Sequence, residues 1–156
     1  MPAEAFEHFA ALAGVTAADL IGERAARSPA TTRQAEALAA GLDPKARERV
    51  SRYIERGSIG DAVKARHGGR CQICAALGAD GIAFHKADGS AYAEAHHVMP
   101  VAMLIAGSLG AENIMVLCPN HHRQAHFGRF AVVTNAADHW ILAIDDRKLR
   151  IEKTRL

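Results

Sequence analysis

Residues 118–126 read Cys118-Pro119-Asn120-His121-His122-Arg123-Gln124-Ala125-His126. Proline suits the first turn of a helix, where its missing N–H leaves no bond unmade, so residues 119–127 are predicted to form a short helix. Cys118 and His121 form a CxxH pair, and His122 and His126 stand four apart. On a helix that spacing puts both imidazoles on one face. His121 lies about 100° round the axis from His122, so a single helix can offer one ligand to one ion and two ligands to another.

Working toward the N-terminus, Cys71-Gln72-Ile73-Cys74 is a CxxC pair whose second cysteine lies 44 residues before Cys118. Two i, i+3 pairs of thiol and imidazole supply the four ligands that tetrahedral Zn²⁺ requires. The reading is a structural Zn²⁺ held by Cys71, Cys74, Cys118 and His121, pinning two distant segments together. A lone CxxC equally serves as a redox motif, but the second pair begins with the only other cysteine. Three cysteines fit metal binding in a reducing compartment better than a disulfide framework. Six of the nine histidines fall within residues 85–126, a clustering that scattered surface or core histidines do not produce.

Between the two pairs lies Glu94-Ala95-His96-His97-Val98-Met99-Pro100, followed by Asn113 in the run 112–118. Adjacent histidines at a strand end point to opposite sides, so one can bind metal while the other holds a water. Phosphodiester hydrolysis needs such a set. An imidazole that titrates near ~6.5 suits a general base at neutral pH, and a divalent cation offsets charge on the phosphoryl and leaving oxygens. A further group must fix the tautomer of the base.

In the order CQIC, AEAHHVMPV, ENIMVLC and CPNHHRQAH, the chain resembles the HNH endonuclease family over about residues 66–127. The resemblance implies a ββα-metal core, built from a β-hairpin and a helix around one catalytic ion. It implies DNA as substrate, with 5′-phosphate and 3′-hydroxyl products. It places His97 as general base and Asn113 as the residue that orients the base and braces its loop. His96 matches the adjacent metal ligand, a position often held by Asp, and His122 matches the last letter of the motif. His126 matches an extra helix ligand of the colicin-type DNase branch, which many members lack, so a three-histidine site is implied. The catalytic ion is then Mn²⁺, Ni²⁺, Mg²⁺ or Zn²⁺, and imidazole-rich sites suit Mn²⁺, Ni²⁺, Co²⁺ or Zn²⁺ better than Mg²⁺.

The remainder of the chain is less informative. Residues 1–67 read as helices: Phe6, Phe9, Ala10, Leu12 and Ala13 recur at helical spacing, and Ser28-Pro29 breaks the first stretch. Asp43-Pro44 starts another helix that runs to about residue 66, with Gly57 as a possible split. Its basic residues fit a solvated face or a phosphate-tracking face. His67-Gly68-Gly69 ends the helical part, and short β-like runs follow at 83–86, 91–97 and 113–117. Strands 130–134 and 140–144 make a C-terminal β-hairpin, to which 148–152 can add a third strand. The predicted architecture is α+β: a helical segment over 1–67, then a zinc-stapled nuclease domain over 68–156. Met99, Met103 and Met115 read as core filling, His85 as a surface or satisfied core residue, and Glu94 as exposed or paired with an arginine.

With 49 % hydrophobic residues the chain can bury a core, which argues against disorder. A net charge of +2 permits nucleic-acid binding without arguing for it. No apolar run is long enough to span a membrane, and the acidic start does not read as a signal peptide, so a cytoplasmic protein is expected. Under the nuclease reading the partner is double-stranded DNA, with a homodimer through the N-terminal helices as a route to double-strand cleavage. The competing reading is a non-catalytic, zinc-stabilised nucleic-acid-binding module.

Overall fold

The structure, a computed structural model, describes residues 29–103 and 105–156; the helical reading around Phe6 to Ala13 lies outside them. The architecture is α+β. Helices α1 (Pro29–Ala40), α2 (Pro44–Arg56) and α3 (Ser58–Arg66) come first, then a short helix α4 (Gln72–Ala76). Strand β1 (Glu94–His97) pairs antiparallel with β2 (Ile114–Leu117), which leads directly into helix α5 (Pro119–Phe127). Strands β3 (Phe130–Asn135), β4 (His139–Ile144) and β5 (Arg147–Glu152) close the chain. Among the described residues no helix is long and apolar enough to cross a membrane.

The sequence places most boundaries within a residue or two. Helix α2 starts at Pro44, Gly57 separates it from α3, and α5 occupies the predicted span. Two readings are corrected. Residues 83–86 are not a strand: His85 makes only an isolated bridge to Ala91, because Gly89 at φ +81° reverses the chain before a ladder can extend. The strand ending at His97 begins at Glu94 rather than at residue 91. As the run 148–152 allowed, the C-terminal hairpin gains a third strand and forms an antiparallel sheet in the order β3-β4-β5, with Trp140 paired to Ile151 and Leu142 to Leu149.

The β1–β2 ribbon is the centre of the molecule. Strand side chains alternate in direction, and here both faces are covered. Ala95, Ile114 and Val116 pack with Ala39, Ile54, Ile59 and Val63 from the helices. Met115 and Leu117 pack instead with Ile73, Trp140, Leu142 and Ile151 from α4 and the C-terminal sheet. Burial on both sides explains why Ile114–Leu117 is a continuous apolar run. It also means that the packing is continuous across residues 67 and 68, where the sequence suggests a division. Of the three methionines read as core, Met115 is fully buried whereas Met103 is 66 % exposed on a 3₁₀ turn.

Two glycines are required by contact. Gly69, at φ +68°, ends the helical part against Ala91, whose Cβ would lie 2.8 Å from an added Cβ. Gly60 sits at the α2–α3 corner, where an added Cβ would lie 2.0 Å from the carbonyl oxygen of Glu55. The corner therefore fixes the last turn of α2 closely against α3.

Candidate functional site

Two short helices carry the first cluster. Cys71 precedes α4 and Cys118 precedes α5, and each thiol accepts from the backbone N–H three residues on, Cys74 and His121 respectively, at 3.4 Å. Each CxxC or CxxH pair is thus a tight turn whose first side chain caps the helix that holds the second. Nδ1 of His121 lies 3.3 Å from the sulfurs of Cys71, Cys74 and Cys118, and the sulfurs of Cys74 and Cys118 are 4.0 Å apart. Tetrahedral Zn²⁺ with S and N ligands at about 2.0–2.3 Å sets ligand separations of roughly 3.5–3.8 Å, so the four residues fit that ion. Burial, and then the charges of its neighbours Cys71 and Cys118, push the Cys74 thiol up to about 12; burial likewise raises Cys71. Thiols held protonated in this way, Cys71 and Cys74, need a cation to become thiolates. Gln72, between the cysteines, ties the turn to its surroundings: it accepts from Val116 N–H at 2.8 Å and donates to Glu152 C=O at 3.0 Å.

The second cluster is His96, His122 and His126, each offering a ring nitrogen within 4.8 Å of the others. His96 leaves β1 on the face opposite Ala95, toward α5. The Nε2 atoms of His122 and His126 are 3.1 Å apart, as their i, i+4 spacing predicts. Nδ1 of His96 is buried with no hydrogen-bond partner among the described residues, a costly state unless something else satisfies it. Burial, then the charges of His122 and His126, hold His96 down at about 3, and burial lowers His126 as well. Imidazoles kept neutral retain the lone pairs that metal coordination uses. The group can hold a metal ion.

Glu94 stands behind this cluster. Its carboxylate pairs with Nδ1 of His122 and accepts from the hydroxyl of Tyr92 at 2.9 Å. Its partner is therefore a histidine, not the arginine considered from the sequence. A carboxylate on Nδ1 turns Nε2 outward toward His126, the arrangement that orients metal-ligating histidines.

His97 points the other way, as its place one residue along the strand requires. Its side chain is almost fully buried beneath α2. Glu55 Oε1 lies 2.9 Å from its Nδ1 and 3.1 Å from its backbone N–H, and Ser51 Oγ lies 2.9 Å from the same Nδ1. Nε2 is buried with no hydrogen-bond partner among the described residues. Burial, the largest single effect on Glu55, pushes its carboxyl up, but the hydrogen bond and charge of His97 outweigh it and hold Glu55 below the usual carboxylate value.

Asn113 is buried at the end of a 3₁₀ turn, and its polar atoms are all engaged elsewhere than at His97. Met99 N–H donates to Oδ1 at 2.8 Å, while Nδ2 donates to Met99 C=O at 2.9 Å and Ser108 C=O at 2.8 Å. It braces the loop after β1, and bears on His97 only through that loop and through its own carbonyl, which accepts from Val98 N–H at 2.9 Å.

The three-histidine cluster, Glu94, His97, Glu55 and Ser51 line one cleft of about 1120 Å³ between α2, β1, α5 and β3. Arg52 and Arg56 of α2 form one wall, and Arg123 of α5, lying over the ring of Phe127, forms another. The sequence singled out every histidine here. It missed Ser51 and Glu55, whose i, i+4 spacing on an amphipathic helix was their only local signal.

No family model matches the chain, and no solved structure matches it. A stretch of 48 residues is 40 % identical to the type IV methyl-directed restriction enzyme EcoKMcrA of Escherichia coli (strain K12). That stretch is 31 % of this chain and 17 % of the restriction enzyme, so the chain spans less than a fifth of that relative's length.

Proposed function

We propose that this chain is a metal-dependent nuclease of the HNH type that hydrolyses phosphodiester bonds of duplex DNA, in a restriction, defence or DNA-processing role. The observation that carries the reading is the divergence of His96 and His97 from adjacent positions of β1. One imidazole joins a three-histidine cluster, the other keeps a buried ring nitrogen that no described protein group engages, and both residues line the same cleft. A binding module has no use for that pair of arrangements. The local similarity to a methyl-directed restriction enzyme points to the same substrate class. On this reading β1, β2 and α5 are the ββα-metal core, and Cys71, Cys74, Cys118 and His121 hold a structural Zn²⁺ beside it.

The division of labour follows from the side chains. His96, His122 and His126 would hold the catalytic divalent ion, which would supply positive charge to offset that on the scissile phosphate. Glu94 keeps His122 in the orientation that faces His126. His97 Nε2 accepts the proton of the attacking water. Asn113 holds the loop that follows the base, and Arg52, Arg56 and Arg123 supply positive charge along the cleft for the DNA backbone. Cutting both strands with one site per chain calls for two copies, and the N-terminal helical region is the proposed interface; sedimentation as a monomer while plasmid is linearised would remove that element.

The test is cleavage of supercoiled plasmid by zinc-loaded protein supplied in turn with Mg²⁺, Mn²⁺ and Ni²⁺. Cleavage that needs added metal, runs faster with Mn²⁺ or Ni²⁺ than with Mg²⁺, and falls by about 10²-fold or more in His97→Ala is the expected result. Folded, zinc-loaded protein that is inert with every ion refutes the reading and favours the binding module.

A further inference from the structure

We infer that Glu55 is the positioning residue of His97: it holds the imidazole in the tautomer that carries its proton on Nδ1 and leaves Nε2 as the base. The inference rests on the nuclease reading for its purpose, but its geometry stands by itself. An ionised carboxylate oxygen only accepts hydrogen bonds. One atom, Glu55 Oε1, lies 3.1 Å from the His97 backbone N–H and 2.9 Å from Nδ1, so both nitrogens donate to it. A neutral imidazole has one ring proton. With that proton on Nδ1, Nε2 carries the lone pair, and Nε2 is the buried ring atom that no protein group engages.

Ser51 sharpens the argument. Its hydroxyl, one turn earlier on the same face of α2, is also 2.9 Å from Nδ1 and can donate as well as accept. Without Glu55, Ser51 can either accept from Nδ1–H or donate to a bare Nδ1, so the tautomer with its proton on Nε2, which cannot act as base, is no longer excluded. Glu55 therefore decides between two tautomers that the site can otherwise form. The grip on the backbone N–H adds a second point of hold, fixing the strand residue as well as its ring. Helix stability does not explain the carboxylate. Glu55 lies in the last turn of α2, where the helix dipole disfavours negative charge. It lies 42 residues before His97, on an element that precedes both cysteine pairs.

The experiment uses zinc-loaded protein without added catalytic metal for the spectra, and with Mn²⁺ for plasmid cleavage. Long-range ¹H–¹⁵N spectra report which nitrogen of His97 carries the proton. The wild type is expected to carry it on Nδ1. Glu55→Gln, which keeps an acceptor at the same place, is expected to retain that tautomer and most of kcat. Glu55→Leu is expected to populate the tautomer protonated on Nε2 and to lower kcat with KM little changed. A wild type protonated on Nε2 overturns the proposal without any variant, which covers the case of a Leu variant that fails to fold. An active wild type whose Glu55→Leu variant keeps its kcat overturns the role of Glu55 and leaves the nuclease reading standing. An inactive wild type overturns the nuclease reading, and the catalytic role of Glu55 with it.

Discussion

Asn113→Ala should cost stability before it costs chemistry. The side chain is 1 % exposed and makes three hydrogen bonds of 2.8–2.9 Å to Met99 and Ser108. Each such bond contributes about 1 kcal/mol net, and the partners it leaves unpaired add to the cost when they stay dry. The sum is about 3–5 kcal/mol, a large share of the roughly 5–15 kcal/mol that holds a domain of this size. In urea, with a slope of about 2 kcal/mol per molar, the midpoint of zinc-loaded protein should fall by about 1.5–2.5 M. Asn113→Asp should be no better: it keeps the bond from Met99 N–H but turns an acceptor toward the carbonyls of Met99 and Ser108, where Nδ2 now donates. Loop bracing predicts that both variants lose stability and activity together. A variant that melts like the wild type yet cleaves no DNA would place Asn113 on His97 itself and refute this reasoning.

Three further outcomes follow from the fold. Stripping zinc, or replacing Cys74 with Ala, should abolish cooperative unfolding, because structural zinc sites can contribute on the order of 10 kcal/mol of folding energy; a sharp melt by circular dichroism in metal-free protein would contradict this. Gly60→Ala should destabilise by about 1–3 kcal/mol through overpacking against the Glu55 carbonyl, and should lower kcat as Glu55 shifts; unchanged thermal stability would show that the corner yields freely. His67, whose Nε2 lies 2.7 Å from Thr154 Oγ1, is held below its ordinary value by burial and then by Arg66. A lowered value means that the folded state resists the proton which the unfolded chain takes near pH ~6.5, so its contribution is full above that pH and declines below it. Melting temperature measured from about pH 7.5 to about pH 5.5 should fall less steeply in His67→Gln than in the wild type, and parallel curves would rule His67 out.

Local spacing carried most of what the sequence revealed. Helix α5 and both zinc turns were legible because their ligands are three or four residues apart, a distance over which backbone geometry dictates what can meet. The opposed directions of His96 and His97 followed from the two-residue period of a strand. What escaped was long-range. Glu55 reaches His97 from 42 residues away, and a glutamate among arginines on an amphipathic helix reads as a solvated face. Glu94 was visible as a candidate, but its choice of His122 over an arginine depends on the β1–α5 crossing. Residues 83–86 have the composition of a strand but no partner ladder, because pairing depends on the chain's return path. The continuity of the core across residues 67 and 68 depends likewise on which strand face the helices cover.

His121 and His122 are neighbours on α5, one belonging to the Cys/His cluster and the other to the three-histidine cluster. An ion at either place limits the same helix. Ordering that is complete when the first ion binds need not be repeated for the second, so the two affinities are thermodynamically linked. Linkage is reciprocal: whatever factor zinc adds to the affinity of the second ion, that ion returns to zinc. With zinc at the first cluster and a second ion at the three histidines, as proposed, each ion would act as an effector of the other's binding.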